Sequence, residues 1–446
     1  MLLALPLILA NITTPILGLV DTAILGRMDD LHYFAGAAIG SLVVTQLYWV
    51  CGFLKMSITG LSAQNKHSEK GRLKVLVQGI CLAFGLALLI LIFQNYVLNA
   101  GLYFAQVNTD VASSSHDYFS VRIWGAPAAL INLVLIGWLV GQQQTKWVLW
   151  LQLIVNVTNI VASLLLVYVF DLGVKGVAAA TVLAEYLMLA CALFYIFFTS
   201  AGQSNFILLQ SHINKNLNAG QSKLKQFTHI VSLQNMRALL SLNGNMFVRN
   251  IVLQLTLAFV TLKGAQFGET AVAVNAILLQ FFTLIALGLD GIANAVEALV
   301  GEEKGKVSAK GVHSHVKTGL IFSSTVAVLY SLLFVFLDSL IINLLTHHQA
   351  VILALAPYKV IIVMLPIVAH WCFLFDGVFV GLSKGKAMRD SMLLSAVFGF
   401  IPIWLMFSAY GNIALWAAMF GFLLGRGLFQ GGYYWYWSRV SHRLLA

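Results

Sequence analysis

What this 446-residue chain has little of is charge: Lys, Arg, Asp and Glu make up only 9% of it, where a soluble domain carries about a quarter. A water-soluble fold is thereby excluded, because too few polar side chains remain to cover the surface of a chain this long. Cysteine is scarce as well. Cys51, Cys81, Cys191 and Cys372 all fall in apolar runs with no CxxC pair, which speaks against a disulfide framework or a thiolate metal site and leaves them as small core residues. Patterns of the types HExxH, GxSxG and GxxxxGKS/T are missing, so the chain reads as not an enzyme, with no metal site and no cofactor. It opens Met1-Leu2-Leu3 without a basic stretch or a small-residue cleavage site, and a cleaved signal peptide is not expected.

What is present is apolar sequence, 60% of the residues at a mean hydropathy of +0.88. The runs are continuous and long, such as 75–93 and 149–170, and about 20 residues suffice to span a bilayer as a helix. A membrane barrel would instead alternate in hydrophobicity over segments of about ten residues. Twelve helical spans are expected, from 2–25 to 412–436. The fold class is an all-α polytopic membrane protein, with twelve transmembrane helices in two pseudo-symmetric six-helix bundles around a central cleft.

The net charge of +10 reflects membrane topology and not nucleic acid. With the amino terminus in the cytoplasm, eighteen basic residues fall inside, and the opposite side holds Arg27, Arg122, Lys175, Lys263 and Lys359. The positive-inside rule therefore puts both termini in the cytoplasm. Lys55, Arg249 and Arg426 remain within spans.

Residues 201–227 form a polar connection near the midpoint. They divide an amino-terminal lobe, 1–200, from a carboxyl-terminal lobe, 228–446. Two correspondences point to duplication. Gly137-Trp138-Leu139-Val140-Gly141 matches Gly377-Val378-Phe379-Val380-Gly381 at an offset of 240, and Gly173, Ala179 and Ala180 match Gly411, Ala417 and Ala418 at an offset of 238. Six helices per half place both halves in the same orientation, as in transporters that rock one bundle against the other around a midplane site.

Polar residues inside the spans fall on helix faces. Asn11, Thr14, Gly18 and Asp21 form one stripe of the first helix, and Asp21 is the only carboxylate between Leu5 and Gly26. An intramembrane carboxylate costs about 2.5 kcal/mol or more at the bilayer centre and marks a functional site by default. Asn156, Asn159 and Ser163 share a face of the fifth helix, and Thr181 and Glu185 stand one turn apart on the sixth. In the second lobe Gln280, Thr283, Asp290, Asn294 and Glu297 follow a helical rhythm. A buried arginine does not deprotonate, so Arg249 is expected to pair with Asp290 or Asp376. His370 reads as a core histidine, and His347 and His348 as solvated loop residues. Pro15, six residues before Asp21, is a candidate hinge.

The segment LPLILANITTPILGLVDTAILG from Leu5, the run from Asn275 to Gly301 and WCFLFDGVFVG from Trp371 resemble the multidrug and toxic compound extrusion (MATE) family, DinF-like branch. The resemblance covers essentially the whole chain. It implies a secondary exporter of amphiphilic or cationic small molecules in a bacterial inner membrane, working as a monomer by alternating access in exchange for H⁺ or Na⁺. It also matches Asp21, Asn159 and Thr181 to the family's first-, fifth- and sixth-helix polar residues. Ser163 departs from the pattern, since many relatives place a second aspartate there. The departure favours proton coupling at Asp21, with Asn156, Asn159, Ser163 and Thr181 tuning it. The alternatives are Na⁺ coupling through the second-lobe acidic cluster and a lipid-linked precursor flippase.

Overall fold

The structure, a computed structural model, describes residues 3–26, 31–105, 108–198, 232–346, 348–439 and 444–445. The 201–227 connection, His347 and the side chains of Thr14 and Pro15 lie outside the described residues, and with them the expected hinge. Among the described residues eleven helices are long and apolar enough to cross a membrane, and a further apolar helix, α1 (Ala4–Leu25), precedes them. They are α2 (His32–Gln64), α3 (Glu69–Ile92), α4 (Thr109–Gly141), α5 (Thr145–Val169), α6 (Gly173–Phe198), α7 (Met236–Ala265), α8 (Glu269–Gly305), α9 (Ala309–Asn343), α10 (Gln349–Gly381), α11 (Gly385–Tyr410) and α12 (Asn412–Ser438). Large apolar side chains such as Leu89 and Ile92 of α3 and Leu332 and Phe336 of α9 point outward. In lipid, outward apolar groups carry no solvation penalty, and helices hold together instead through close packing and polar contacts.

By internal contacts the chain divides into Leu9–Leu240 and a second unit of Met1–Ile8 with Ser241–Ala446. In the amino-terminal unit α4 is the hub, packed by α2 along its length and by α3 and α6. In the carboxyl-terminal unit α10 has that place, against α8, α9 and α12. The reason is the glycine pair that each hub carries. A Cβ on Gly141 would stand 2.6 Å from the Thr59 carbonyl oxygen of α2, and one on Gly381 would stand 2.6 Å from the Glu297 carbonyl oxygen of α8. Gly137 and Gly377 face the Lys55 and Ala293 carbonyls in the same way. Small residues let the backbones meet, as membrane helix interfaces require.

The two units repeat further details. Each hub ends in a turn with a non-glycine residue in the left-handed region, Gln143 at φ 62° and Ser383 at φ 51°. That turn is closed in one unit by Gln144 N–H donating to the Leu139 carbonyl and in the other by Lys384 N–H donating to Phe379, both at 2.8 Å. Both α5 and α11 contain a widened π turn, at Leu165–Val169 and Ser395–Phe400. Gly173 and Gly411 open the following helices at φ 53° and 61°, a conformation glycine adopts without steric cost.

Two expectations require correction. The helix expected to run from 73 to 99 stops at Ile92, and a separate helix, Gln94–Ala105, follows it. More consequentially, α4 begins at Thr109 and not near 118, so Arg122, counted above with the basic residues of the outer side, stands thirteen residues into the helix. Its first turns, TDVASSSHDYFSVR, are too polar to register as membrane sequence. They are accommodated because Gly36 and Gly40 of α2 fit against Ser114, Ser115 and Tyr118.

Gly377→Ala adds a methyl group against a backbone carbonyl that has nowhere to move. The expected loss is about 1–3 kcal/mol, read as a lower thermal-unfolding midpoint in detergent. Gly244→Ala on α7, where the added Cβ meets nothing within 4 Å, is expected to leave the midpoint unchanged or slightly raised.

Candidate functional site

Asp21 lies near the end of α1, whose Val20, Ile24 and Leu25 pack with Phe34 of α2, Tyr118 of α4 and Val177 of α6. Its carboxylate is within hydrogen-bonding reach of the Ser163 hydroxyl and in the field of Arg122. The hydroxyl has one proton and a second acceptor, Asn159 Oδ1, at 3.3 Å. Asn159 Nδ2 in turn donates to Thr181 Oγ1 at 2.8 Å, and Thr181 donates to the Val177 carbonyl at 3.2 Å. The expected residues Asn159, Ser163 and Thr181 therefore form one chain of hydrogen bonds across α5 and α6, and Asp21 of α1 stands at its Ser163 end. Asn159 and Ser163 are fully buried. Asn156 stands one turn away and accepts from Gln152 at 3.3 Å, a contact within α5 and not part of that chain.

Among the described residues Asp21 Oδ1 is buried with no hydrogen-bond partner. A charged carboxylate oxygen in that position is costly, and the cost is removed when the oxygen takes a proton or a cation.

A deeper feature concerns Glu185, whose basic partner the sequence reading did not name. Arg122 of α4 makes a bidentate pair with Glu185 of α6, at 2.9 and 2.6 Å. Asn132 Nδ2, further along α4, donates to the Glu185 carbonyl at 2.9 Å, and the guanidinium lies 5.2 Å from the Tyr48 ring centroid. Gly125 leaves room for the pair, since a Cβ there would meet Arg122 Nη1 at 2.5 Å. The signal available in the sequence was the lone Glu185 in an apolar helix, which needed a basic partner. That partner was hidden by the polar composition around Arg122.

In the carboxyl-terminal unit Arg249 pairs with Asp376. Asp376 Oδ2 also accepts from Arg426 Nη2 at 2.7 Å, and Oδ1 accepts from Gln430 Nε2 at 2.6 Å. Arg249 Nη1 donates to Asn250 Oδ1 at 3.0 Å. Both oxygens of Asp376 are thus occupied by donors. Gln280 and Asp290 are exposed, Asn294 is half-buried and Glu297 is buried, while Asp290 remains within electrostatic reach of Arg426. Arg426 and Gln430, one turn apart on an otherwise apolar helix, are the residues that spacing alone would have recovered. His370 is buried against Ser323, with Nδ1 and Oγ 3.2 Å apart. No cluster of three or more His, Cys, Asp or Glu side chains suited to a metal ion occurs among the described residues.

The MatE family model matches the chain twice, at residues 6–165 and 246–405. The chain belongs to the MatE family. The two matches lie 240 residues apart, the offset of the glycine pairs on α4 and α10, so the repeat in packing is also a repeat in family sequence. The chain is 35% identical over 428 residues to DNA damage-inducible protein F of Escherichia coli, covering 96% of this chain and 89% of that protein. It is 25% identical over 358 residues to the multidrug resistance protein NorM of Vibrio cholerae, covering 78% and 74%. The fold is that of the MATE transporter VcmN of Vibrio cholerae, with a TM-score of 0.82 at 17% identity over 100% of this chain and 97% of that one. It is likewise that of a MOP superfamily transporter from Pyrococcus furiosus, with a TM-score of 0.79 at 14% identity over 99% and 95%. The protein is a multi-pass membrane transporter of the MatE family and not an enzyme.

Asp376→Asn removes the counter-charge of two buried guanidinium groups and is expected to destabilise the protein by about 3–5 kcal/mol, read as a fall in thermal-unfolding midpoint and in folded yield. Gln430→Met, which removes a neutral donor, is expected to cost about 1 kcal/mol.

Proposed function

We propose that this MatE transporter exports cationic or amphiphilic organic compounds from the cytoplasm in exchange for protons, and that Asp21 is the group on which proton and substrate compete. The observation that carries this is the Asp21 carboxylate itself, with one buried oxygen lacking a donor and the other side facing the Ser163 hydroxyl. A proton on that oxygen satisfies it without rearranging the Ser163–Asn159–Thr181 chain. Ionised, the same group offers a negative charge to a cation. Proton binding from outside releases substrate, and proton loss to the cytoplasm resets the site, with alternating access between the two states.

Several features support the details of this reading. With the amino terminus in the cytoplasm, Asp21 stands seventeen residues beyond Ala4, about 25 Å along the helix at 1.5 Å per residue. That depth is in the outer half of the membrane, within reach of protons arriving from outside. The similarity to NorM, a multidrug resistance protein, supports an organic substrate. The relatives from Escherichia coli and Vibrio cholerae support a bacterial inner membrane; both termini are taken as cytoplasmic on the positive-inside rule, and the monomer is taken as the working unit.

Sodium coupling through the second acidic cluster is the competing reading. A hard cation needs several free oxygen ligands. Asp376 spends both oxygens on Arg249, Arg426 and Gln430, and in the first unit Asn159 Oδ1 already accepts from Ser163. Proton exchange asks for neither to be released.

Reconstituted vesicles with separately imposed pH and Na⁺ gradients test the proposal. Wild-type protein is expected to accumulate a fluorescent organic cation under a pH gradient alone. Asp21→Asn is expected to lose at least about tenfold of that rate, because the proton is carried at this one group. Undiminished pH-driven transport by Asp21→Asn, or a strict Na⁺ requirement in wild type, would overturn it.

A further inference from the structure

The repeat that relates the two units breaks in its charges at one place. The turn after α10 has the geometry of the turn after α4, with Ser383 and Gln143 both in the left-handed region and the Lys384 and Gln144 N–H groups both donating back into the hub helix. At the 240-residue offset of the two family matches, Lys384 stands where the amino-terminal unit has Gln144, and Lys304, at the end of α8, stands where it has Gln64. The amino-terminal turn is completed without charge, since Gln144 Oε1 accepts from the Tyr195 hydroxyl of α6 at 3.3 Å. The carboxyl-terminal turn thus carries two positive charges that its repeat folds without.

Both ammonium groups are held in position. Lys304 Nζ donates to the Leu382 carbonyl at 2.6 Å, two residues before Lys384, and Lys384 Nζ lies 4.9 Å from the centroid of the Trp437 ring on α12. Trp437 is fixed in turn by Phe379 of α10, edge to face with ring centroids 5.6 Å apart, and by Tyr433 one turn earlier on α12, also at 5.6 Å. A carbonyl and an aromatic face orient an ammonium group without cancelling its charge. Both lysines are half-buried. The surrounding end of the unit is basic, with eight Lys and Arg against three Asp and Glu in residues 302–317, 382–390 and 433–439. Of those acids, Glu302 and Glu303 pair with Lys306, and Asp390 pairs with Arg389.

This end of the unit is the one that the positive-inside rule assigns to the cytoplasm, where the leaflet carries anionic headgroups. Trp435 and Tyr436 at the end of α12 are exposed, as aromatic side chains are at the level of the headgroups, and the Arg439 guanidinium lies 3.6 Å from the Trp435 ring centroid. We propose that Lys304, Lys384 and Trp437 form a binding site for the phosphodiester headgroup of an anionic phospholipid, with the two ammonium groups donating to its phosphate oxygens. A lipid phosphate already resides at that level of the bilayer, so it reaches two half-buried lysines with less loss of hydration than a soluble anion. The site is independent of Asp21 and of the coupling ion.

The test is lipid binding to the full-length protein in detergent, read by native mass spectrometry as phosphatidylglycerol or phosphatidylcholine is added. Wild type is expected to bind its first phosphatidylglycerol about tenfold more tightly than phosphatidylcholine. Lys304→Gln combined with Lys384→Gln installs the residues that the amino-terminal unit carries at these places, so the turn is expected to form, and the preference is expected to fall to about twofold or less. Lys310→Gln combined with Lys317→Gln removes the same charge from exposed positions at the same end and is expected to keep the preference. Equal affinity for the two lipids in wild type would overturn the inference. So would a preference kept by the Lys304 and Lys384 variant, or lost to the same extent in the Lys310 and Lys317 variant.

Should the paired glutamine variant fold poorly, Trp437→Leu reads the same site, because it keeps both charges and removes the ring under Lys384. Its preference for phosphatidylglycerol is expected to drop about threefold, and an unchanged preference would contradict the site. Inorganic phosphate added to wild type at matched ionic strength is expected to leave the bound lipid in place. Displacement of the lipid by phosphate would identify a soluble-anion site and overturn the lipid assignment.

Discussion

Every charge in the interior of this protein must be neutralised where it stands, because lipid supplies neither counter-ion nor hydrogen bond. The two units meet this constraint differently. In the carboxyl-terminal unit both oxygens of Asp376 are taken by Arg249, Arg426 and Gln430, a cluster that ties α7, α10 and α12 together. In the amino-terminal unit Arg122 and Glu185 pair off, and among the described residues one buried oxygen of Asp21 has no hydrogen-bond partner. A repeated architecture thus carries two different polar centres.

The packing makes that asymmetry affordable. Glycines on α4 and α10 bring each hub helix into backbone contact with α2 and α8, and the turns that follow, through Gln143 and Ser383, have the same left-handed geometry. Because close approach rather than polar pairing holds these helices together, polar side chains on the remaining faces are free to differ between the halves. Thr59 and Glu297, whose carbonyls receive equivalent glycines, show how far the side chains have diverged on a common backbone.

Much of this was legible in the sequence. Twelve apolar runs, the 240-residue offset and the lone Asp21 all follow from hydropathy and helical spacing, which depend on local composition alone. That Asp376 pairs with Arg249 was legible only as one of two candidates, because Asp290 and Asp376 both lie at plausible depths in the spans. Arg122 was misplaced for a different reason. Ser114, Ser115, His116 and Asp117 surround it with the composition of a loop, and the small residues of α2 that let this polar half-helix enter the bundle are 70 or more residues away in the chain. Long-range complementarity of that kind leaves no mark in a hydropathy window.

The central claim, that a proton on Asp21 is exchanged for an organic cation, is tested most directly by counting protons. Purified protein in weakly buffered detergent, held at a pH where the site is loaded and without Na⁺, is mixed with a saturating organic cation while a pH indicator is followed. The account predicts release of about one proton per molecule in wild type and none from Asp21→Asn. Cation binding by wild type with no proton released, or the same release from Asp21→Asn, would contradict it.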